Sequence, residues 1–577
     1  MFVNRLDGPA AGIHGRKFPL SLFLLLFVGL LFIGNRIDND AWFLLNHGRY
    51  VDLYGFPHTE PFTMHEGLHF IMQQWLFAWI LWKVYAFAGV LGLQAFAWLG
   101  GAVLIYLDYR LLLLVSGNRQ MAFLMAQCIG VFCSMLFFCQ RPQIVSSLLL
   151  LLEILVLETI PWGKKGSFAV LSVLSLLLIN FHAAMWPMLF VFLLPYLAEW
   201  FGERGRLVHL TARFPAPSAW KGHELLLLAS GMFLAAWFNP YGMEAMTYTA
   251  HSYGYQEINA MVSEMKPLSL HGFSGIPLLL LIGLFMYYAR HRAPLRYFLL
   301  AFGTGILALS AIRGVFLFLL FGTLPLAYML RNKYLVYRQN YTFQRLSSLL
   351  LAGLFLLGIS YYQYRSVLRS FQDDTKLYLW ILLFLAALLL VFLVRFLLHA
   401  RKQHCFSHGK ERLPLDIERD GVLSAVLILV LIVFPFLLCG YTHSALPRPL
   451  QRASEVLQAE APAASVCLYT GYDTGPYLEF RGFPCYLDTR AEVFIQNVNQ
   501  KKNILSEYYA LQIGHIDYRE FLSRYAFPYL LVDDNDVLYY YLSNDGNYEC
   551  IWDASEDAAL SSSDIAERNY RIYRAKE

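Results

Sequence analysis

Apolar residues run along this chain in long unbroken blocks rather than alternating with polar ones. The first is "FPLSLFLLLFVGLLFIG" (18–34), and others follow near 89–107, 121–138, 144–160, 167–181, 184–200, 224–238, 275–289, 297–311, 314–330, 346–362, 377–398 and 421–440. Most have about the 17 to 23 residues that a helix needs to cross a bilayer core. They predict an α-helical polytopic membrane protein with about thirteen transmembrane helices. The block at 18–34 has no small-residue cleavage site behind it and is followed by many more, so it reads as a retained helix rather than a signal peptide.

Past residue 445 the pattern breaks into short pieces. "SVCLYT", "CYLDT", "YLLVDD", "YECIWD" and "YRIYRA" have the character of strands, and "ILSEYYALQI" and "DYREFLSRYA" that of helices. The chain therefore divides into a membrane domain, 1–444, and a small α/β domain, 445–577. "TGYDTGPY", after the first of the strands, lacks the spacing of a phosphate-binding loop and reads as a tight turn.

Composition agrees with a membrane protein: of 577 residues, 58% are hydrophobic and 15% charged, and the mean hydropathy is +0.46. Charge supplies the orientation. With Arg5, Arg16 and Lys17 in the cytoplasm, the loops on that side hold about 24 Lys and Arg, against about 9 on the other side before residue 445, as the positive-inside rule expects. An odd number of spans then leaves the C-terminal domain outside the cytoplasm. The net charge of +4 is absorbed by these cytoplasmic connectors, and no basic face is left for a nucleic acid. Cys467 and Cys485 fall in the external domain, where a disulfide is permitted, but their strand-like surroundings favour buried free thiols. No cysteine or histidine spacing matches a zinc site.

Sorting the polar residues by side gives the sharpest result. "DNDAW" (38–42), "PHTEP" (57–61), "QQW" (73–75), "CQRPQ" (139–143), "NFHAAMW" (180–186), "NPYG" (239–242) and "AIRG" (311–314) all fall on the non-cytoplasmic side, whereas the cytoplasmic loops are plain basic connectors. A site in this protein opens outward. The first external loop, 35–74, is rich in aromatic and aliphatic residues, and its flanks, "DAWFLLNHGRYVDLYG" and "FIMQQWLFAWILWKVYAFAG", predict helices lying in the membrane interface. These helices would hold Asp38 and Asp40 at the mouth of the bundle.

A carboxylate at the edge of a bilayer can serve as general base toward a hydroxyl or amine whose reaction partner is lipid-linked. Arg141, His182 and Arg313, each beside an external span end, are candidates to hold a donor phosphate; arginine suits this because its guanidinium pairs with phosphate oxygens in a bidentate fork. His58, Glu60, Gln74 and Tyr241 are candidates for substrate contact. The long connection after "NPYG" should cover the cavity, with Glu257, Glu264 and Lys266 as weaker candidates. Simpler readings compete with each of these: Asp38 and Asp40 as helix caps, Arg141 as a snorkelling residue, and Asp488, Arg490 and Glu492 of "DTRAE" as a salt-bridge network rather than an acceptor site.

The order and sidedness of "DND", the 35–74 loop, "QRPQ", "NFHAAMW", "NPYG" and "GYDTGPYLEFRGFPCYLDTRAEVF" resemble the GT-C superfamily of integral membrane glycosyltransferases, and within it a group of uncharacterised bacterial GT-C-like proteins. More loosely, the number of spans and the external C-terminal domain are similar to those of bacterial lipid A aminoarabinose transferases and protein O-mannosyltransferases. The resemblance implies an inverting transfer of sugar from a polyprenyl-phosphate donor to a cell-envelope acceptor (glycan, lipid or protein) on the extracytoplasmic face. It places the catalytic acid at Asp40 first and Asp38 second. Some GT-C enzymes use a divalent metal; here Asp38, Asp40 and Glu60 would be the ligands, and metal dependence stays open. The competing function is a transporter or flippase of a lipid-linked envelope precursor. Against it, no internal repeat is present and the ionisable residues gather at one face rather than at the midplane.

Overall fold

The computed structural model describes residues 37–117, 139–204, 218–331 and 448–576, apart from short gaps, together with parts of 121–133. The blocks expected near 18–34, 346–362, 377–398 and 421–440 lie outside the described residues. Four described helices are long and apolar enough to cross a membrane: Trp75–Ser116, Gly163–Phe181, Ala183–Arg204 and Ile312–Met329. Gly222–Ala236, Pro277–Tyr288 and Leu295–Ser310 are shorter and also apolar. The described bundle is thus smaller than the expected thirteen, but the chain is a helical membrane protein with a small C-terminal sheet.

The loop 35–74, expected to be the first external one, begins with the helix Asn39–Tyr54, as its apolar spacing predicts. Asp38 caps its start and Gly55, at φ 83°, ends it. The second expected interfacial helix is not separate. It forms the first part of Trp75–Ser116, which bends at Gly89, where φ is 57° and ψ is −146°, a conformation that glycine alone adopts at little cost. The two interfacial segments pack closely. A Cβ at Gly48 would stand 2.1 Å from the Ala78 carbonyl oxygen, and the Lys83 ammonium lies 2.8 Å from Asp52 Oδ2.

At the opposite end of the bundle Arg296 ties three helices together. Its Nε lies 2.6 Å from Glu158 and its Nη1 3.0 Å from Glu199, with all three side chains nearly inaccessible. A bidentate guanidinium is the cation best able to satisfy two carboxylates in so dry a place.

The C-terminal domain holds a four-stranded sheet: β1 (Leu468–Thr470), β2 (Tyr529–Asp533), β3 (Tyr548–Asp553) and β4 (Tyr570–Ala575), in the order β1-β2-β4-β3. The β1 and β2 strands are parallel; β4 runs antiparallel to both β2 and β3. The helices Ile504–Gln512 and Tyr518–Tyr525 form where expected. "CYLDT" does not become a strand of this sheet. Cys485 makes isolated bridges to Leu468 and to Thr63 of the 35–74 loop, because its neighbours are drawn toward the membrane domain. Cys467 and Cys485 are both free thiols, but only Cys485 is buried as expected; Cys467 is exposed, because it lies just before β1. Since Leu468 is the bridge partner of Cys485, Cys467 points to the opposite face of the pleat. Further main-chain bonds, Met64 N–H to the Cys485 carbonyl and His69 N–H to the Asn499 carbonyl, both 3.0 Å, sew the loop to the domain.

Candidate active site

The site is built at the start of the helix Asn39–Tyr54. Asp38 is in an extended conformation, and its Oδ1 accepts the Asp40 main-chain N–H at 3.0 Å. Its own N–H donates to Gln140 Oε1 at 3.2 Å. Asp40 sits in the first turn, where the helix dipole favours negative charge. Arg141, from the "CQRPQ" turn, brings its Nε to 2.8 Å from Asp38 Oδ1 and 3.1 Å from Asp40 Oδ2. Its Nη1 lies 2.9 Å from both oxygens of Glu264, which the long connection after "NPYG" presents on the short turn Ser263–Met265. Three carboxylates therefore share one guanidinium.

That balance sets the charge of Asp40. Burial penalises its ionised form most, Arg141 opposes the penalty, and the Asp38 charge adds to it; the carboxyl is raised to about 7. The Thr489 hydroxyl of the C-terminal domain favours the ionised form and the Glu264 charge disfavours it. Asp38 thus fulfils the capping role, while Asp40 is left with a basicity matched to neutral pH.

Arg313 and His182 form a neighbouring group. The 3-10 turn Ile312–Gly314, which carries Arg313, receives the Glu264 loop through a bond from Ile312 N–H to the Lys266 carbonyl at 3.0 Å. His182 Nδ1 lies 2.7 Å from Ser146 Oγ, whose hydroxyl also reaches the Pro142 carbonyl at 3.0 Å. Burial first, and then the Arg313 charge, push His182 down to about 3. His182 is therefore neutral, not the cation expected, and offers hydrogen bonds instead. Gln74 is buried at the start of Trp75–Ser116. Its neighbour Gln73 grips the His182 turn, its carbonyl accepting from Ala183 N–H at 2.9 Å and its side chain from Ala184 N–H at 3.1 Å.

The remaining candidates lie elsewhere in the loop. Tyr241 donates its hydroxyl to the Pro57 carbonyl at 3.1 Å, and its ring packs edge-on to exposed His58 at 5.4 Å. Glu60 turns inward. It accepts from Phe62 and Thr63 main-chain N–H groups and from Arg490 Nη2 at 2.9 Å, with no exposure of its side chain. The ligand set Asp38, Asp40 and Glu60 is therefore not assembled, and no group of three His, Cys, Asp or Glu side chains converges as a metal site among the described residues. Glu257 lies outside the described residues. Glu264 gains weight from its place on Arg141, and Thr489 and Tyr472 are additions that no local pattern marks. Tyr472 is near enough to feel the Asp40 charge.

No family model matches the sequence, and no curated protein sequence matches it either. Solved structures do. Archaeal oligosaccharyltransferase AglB from Archaeoglobus fulgidus, in complex with an inhibitory peptide and a dolichol-phosphate, is 12% identical, with 89% of this chain and 69% of that chain covered and a TM-score of 0.48. ArnT from Cupriavidus metallidurans in the apo state is 14% identical, with 96% of this chain and 97% of that chain covered and a TM-score of 0.50. The likeness to ArnT extends over nearly the whole of this chain, and the two share a fold.

Proposed function

We propose that the protein is an inverting glycosyltransferase that moves a sugar from a polyprenyl-phosphate donor to a cell-envelope acceptor on the extracytoplasmic face of the membrane. The observation that carries this reading is a carboxyl held near neutrality, Asp40, against an arginine that can face phosphate, Arg141. Asp40 takes the proton from an acceptor hydroxyl or amine as that group attacks the sugar's anomeric carbon. The bond from that carbon to phosphate oxygen breaks on the opposite face, and polyprenyl phosphate leaves with the electron pair. Arg141 and Arg313 stabilise the charge gathering on the phosphate, and neutral His182 contributes hydrogen bonding.

The ionised form of Asp40 is the active one, and it predominates above about pH 7. Transfer should therefore be level above about pH 8 and fall about tenfold per unit at pH values well below 7. A pH profile of kcat/KM, taken with membranes containing the intact protein, checks this; a level profile down to pH 5 excludes Asp40 as the base.

Arg141→Lys keeps the charge and removes the fork. The KM for the lipid donor should rise about tenfold, because a point charge replaces a bidentate contact. Initial rates over a range of donor concentrations decide it, and an unchanged KM would move phosphate binding to Arg313 alone.

A further inference from the structure

The segment 488–492 of the C-terminal domain reaches across to the membrane domain and is held from several sides. Arg490 pairs with Glu60 at 2.9 Å and approaches His47 Nε2 at 3.2 Å. Glu492 accepts the Tyr248 hydroxyl at 3.0 Å. The Tyr472 hydroxyl donates to the Thr489 carbonyl at 2.8 Å, which fixes the main chain there. Asp488, Arg490 and Ala491 are buried, whereas Thr489 between them is part-exposed. Its hydroxyl oxygen is shielded from water and makes no well-aligned hydrogen bond, yet it stands close enough to Asp40 to favour that carboxyl's ionised form. A buried hydroxyl left unpaired is unfavourable, and the carboxylate beside it is an acceptor able to satisfy it.

We propose that Thr489 is a positioning residue for the transfer site: its hydroxyl donates to the Asp40 carboxylate and leaves the remaining lone pairs of Asp40 turned toward the acceptor. The base is then complete only when the C-terminal domain is docked, and that domain is a wall of the site rather than an appendage. This rests on the reading of Asp40 as the base. The other groups facing Asp40 are Asp38, Arg141, Glu264, Cys139 and Tyr472, and a change at Thr489 leaves all of them in place.

The Asp40 carboxyl can be followed without substrate, by infrared difference spectra of the full chain in nanodiscs, wild type minus Asp40→Asn, across pH. Thr489→Val has nearly the same shape and no hydroxyl. It should raise the Asp40 midpoint by about half a unit to one unit, the size of one hydrogen bond to the charged form, and Thr489→Ser should restore it. Transfer at saturating donor should fall several-fold in Thr489→Val with donor KM unchanged, and recover in Thr489→Ser. Coincident titrations of Thr489→Val and wild type, with equal thermal midpoints, would overturn the proposal. A shifted titration with no transfer by any variant, wild type included, would keep the Thr489 contact and overturn the transferase reading instead.

Discussion

Asp40→Asn should lower sugar transfer by about 10²- to 10⁴-fold, the range that a positioned general base contributes, while the protein folds and inserts normally. Asparagine has the shape of aspartate and can still contact Arg141, but it cannot take a proton. The informative companion is Asp38→Asn. Asparagine caps a helix about as well as aspartate, so the helix start survives and only a charge is lost. That charge raises Asp40; without it Asp40 should become more acidic, and the lower limb of the pH profile should move to lower pH. Release of radiolabelled sugar from polyprenyl-phosphate donors, at matched expression, separates the two. Equal losses in both variants would show that the carboxylates act as a charged pair rather than as a base and its cap.

How much of this site was open to reading from the sequence depends on the range of the contacts. That Asp38, Asp40 and Arg141 would meet was legible, because the positive-inside rule groups their short turns on one expected side, and polar residues crowded there tend to find one another. The helix Asn39–Tyr54 was legible from its own spacing. The bend at Gly89 was not, since a glycine inside an apolar run looks like any other position in a span. Glu60 was misplaced for a different reason. Residues 55–74 have no period, and their course is dictated by pairing with Cys485 and Asn499 far along the chain. The same pairing takes "CYLDT" out of the sheet that its alternation suggested. Charged residues on either side of Thr489 drew notice as a network, but a single hydroxyl between them gives no local signal of its neighbour Asp40.

Arg490→Met should destabilise the protein by about 3 to 5 kcal/mol, the cost of leaving a buried carboxylate without its cation. Arg490 is buried against the faces of Phe62 and Phe70, 5.4 and 5.5 Å from the ring centroids, and it pairs with Asp488 and Glu60, whose side chains have no exposure. Glu479 also faces it; burial, and then the Asp488 charge, push this carboxyl well above the usual range, so it stays protonated. Methionine nearly fills the volume but answers neither remaining charge. Because Glu60 belongs to the 35–74 loop, the loss should be felt at the seam: limited proteolysis should release the C-terminal domain earlier than in the wild type. Transfer should fall with it, since the segment that carries Thr489 loses its anchor. Adding Glu60→Gln to Arg490→Met removes one of the stranded charges and should recover part of the stability, so the two substitutions together should cost less than their sum. A loss below about 1 kcal/mol in Arg490→Met would mean that the apolar core shared by the two domains, and not this ion pair, holds the seam closed.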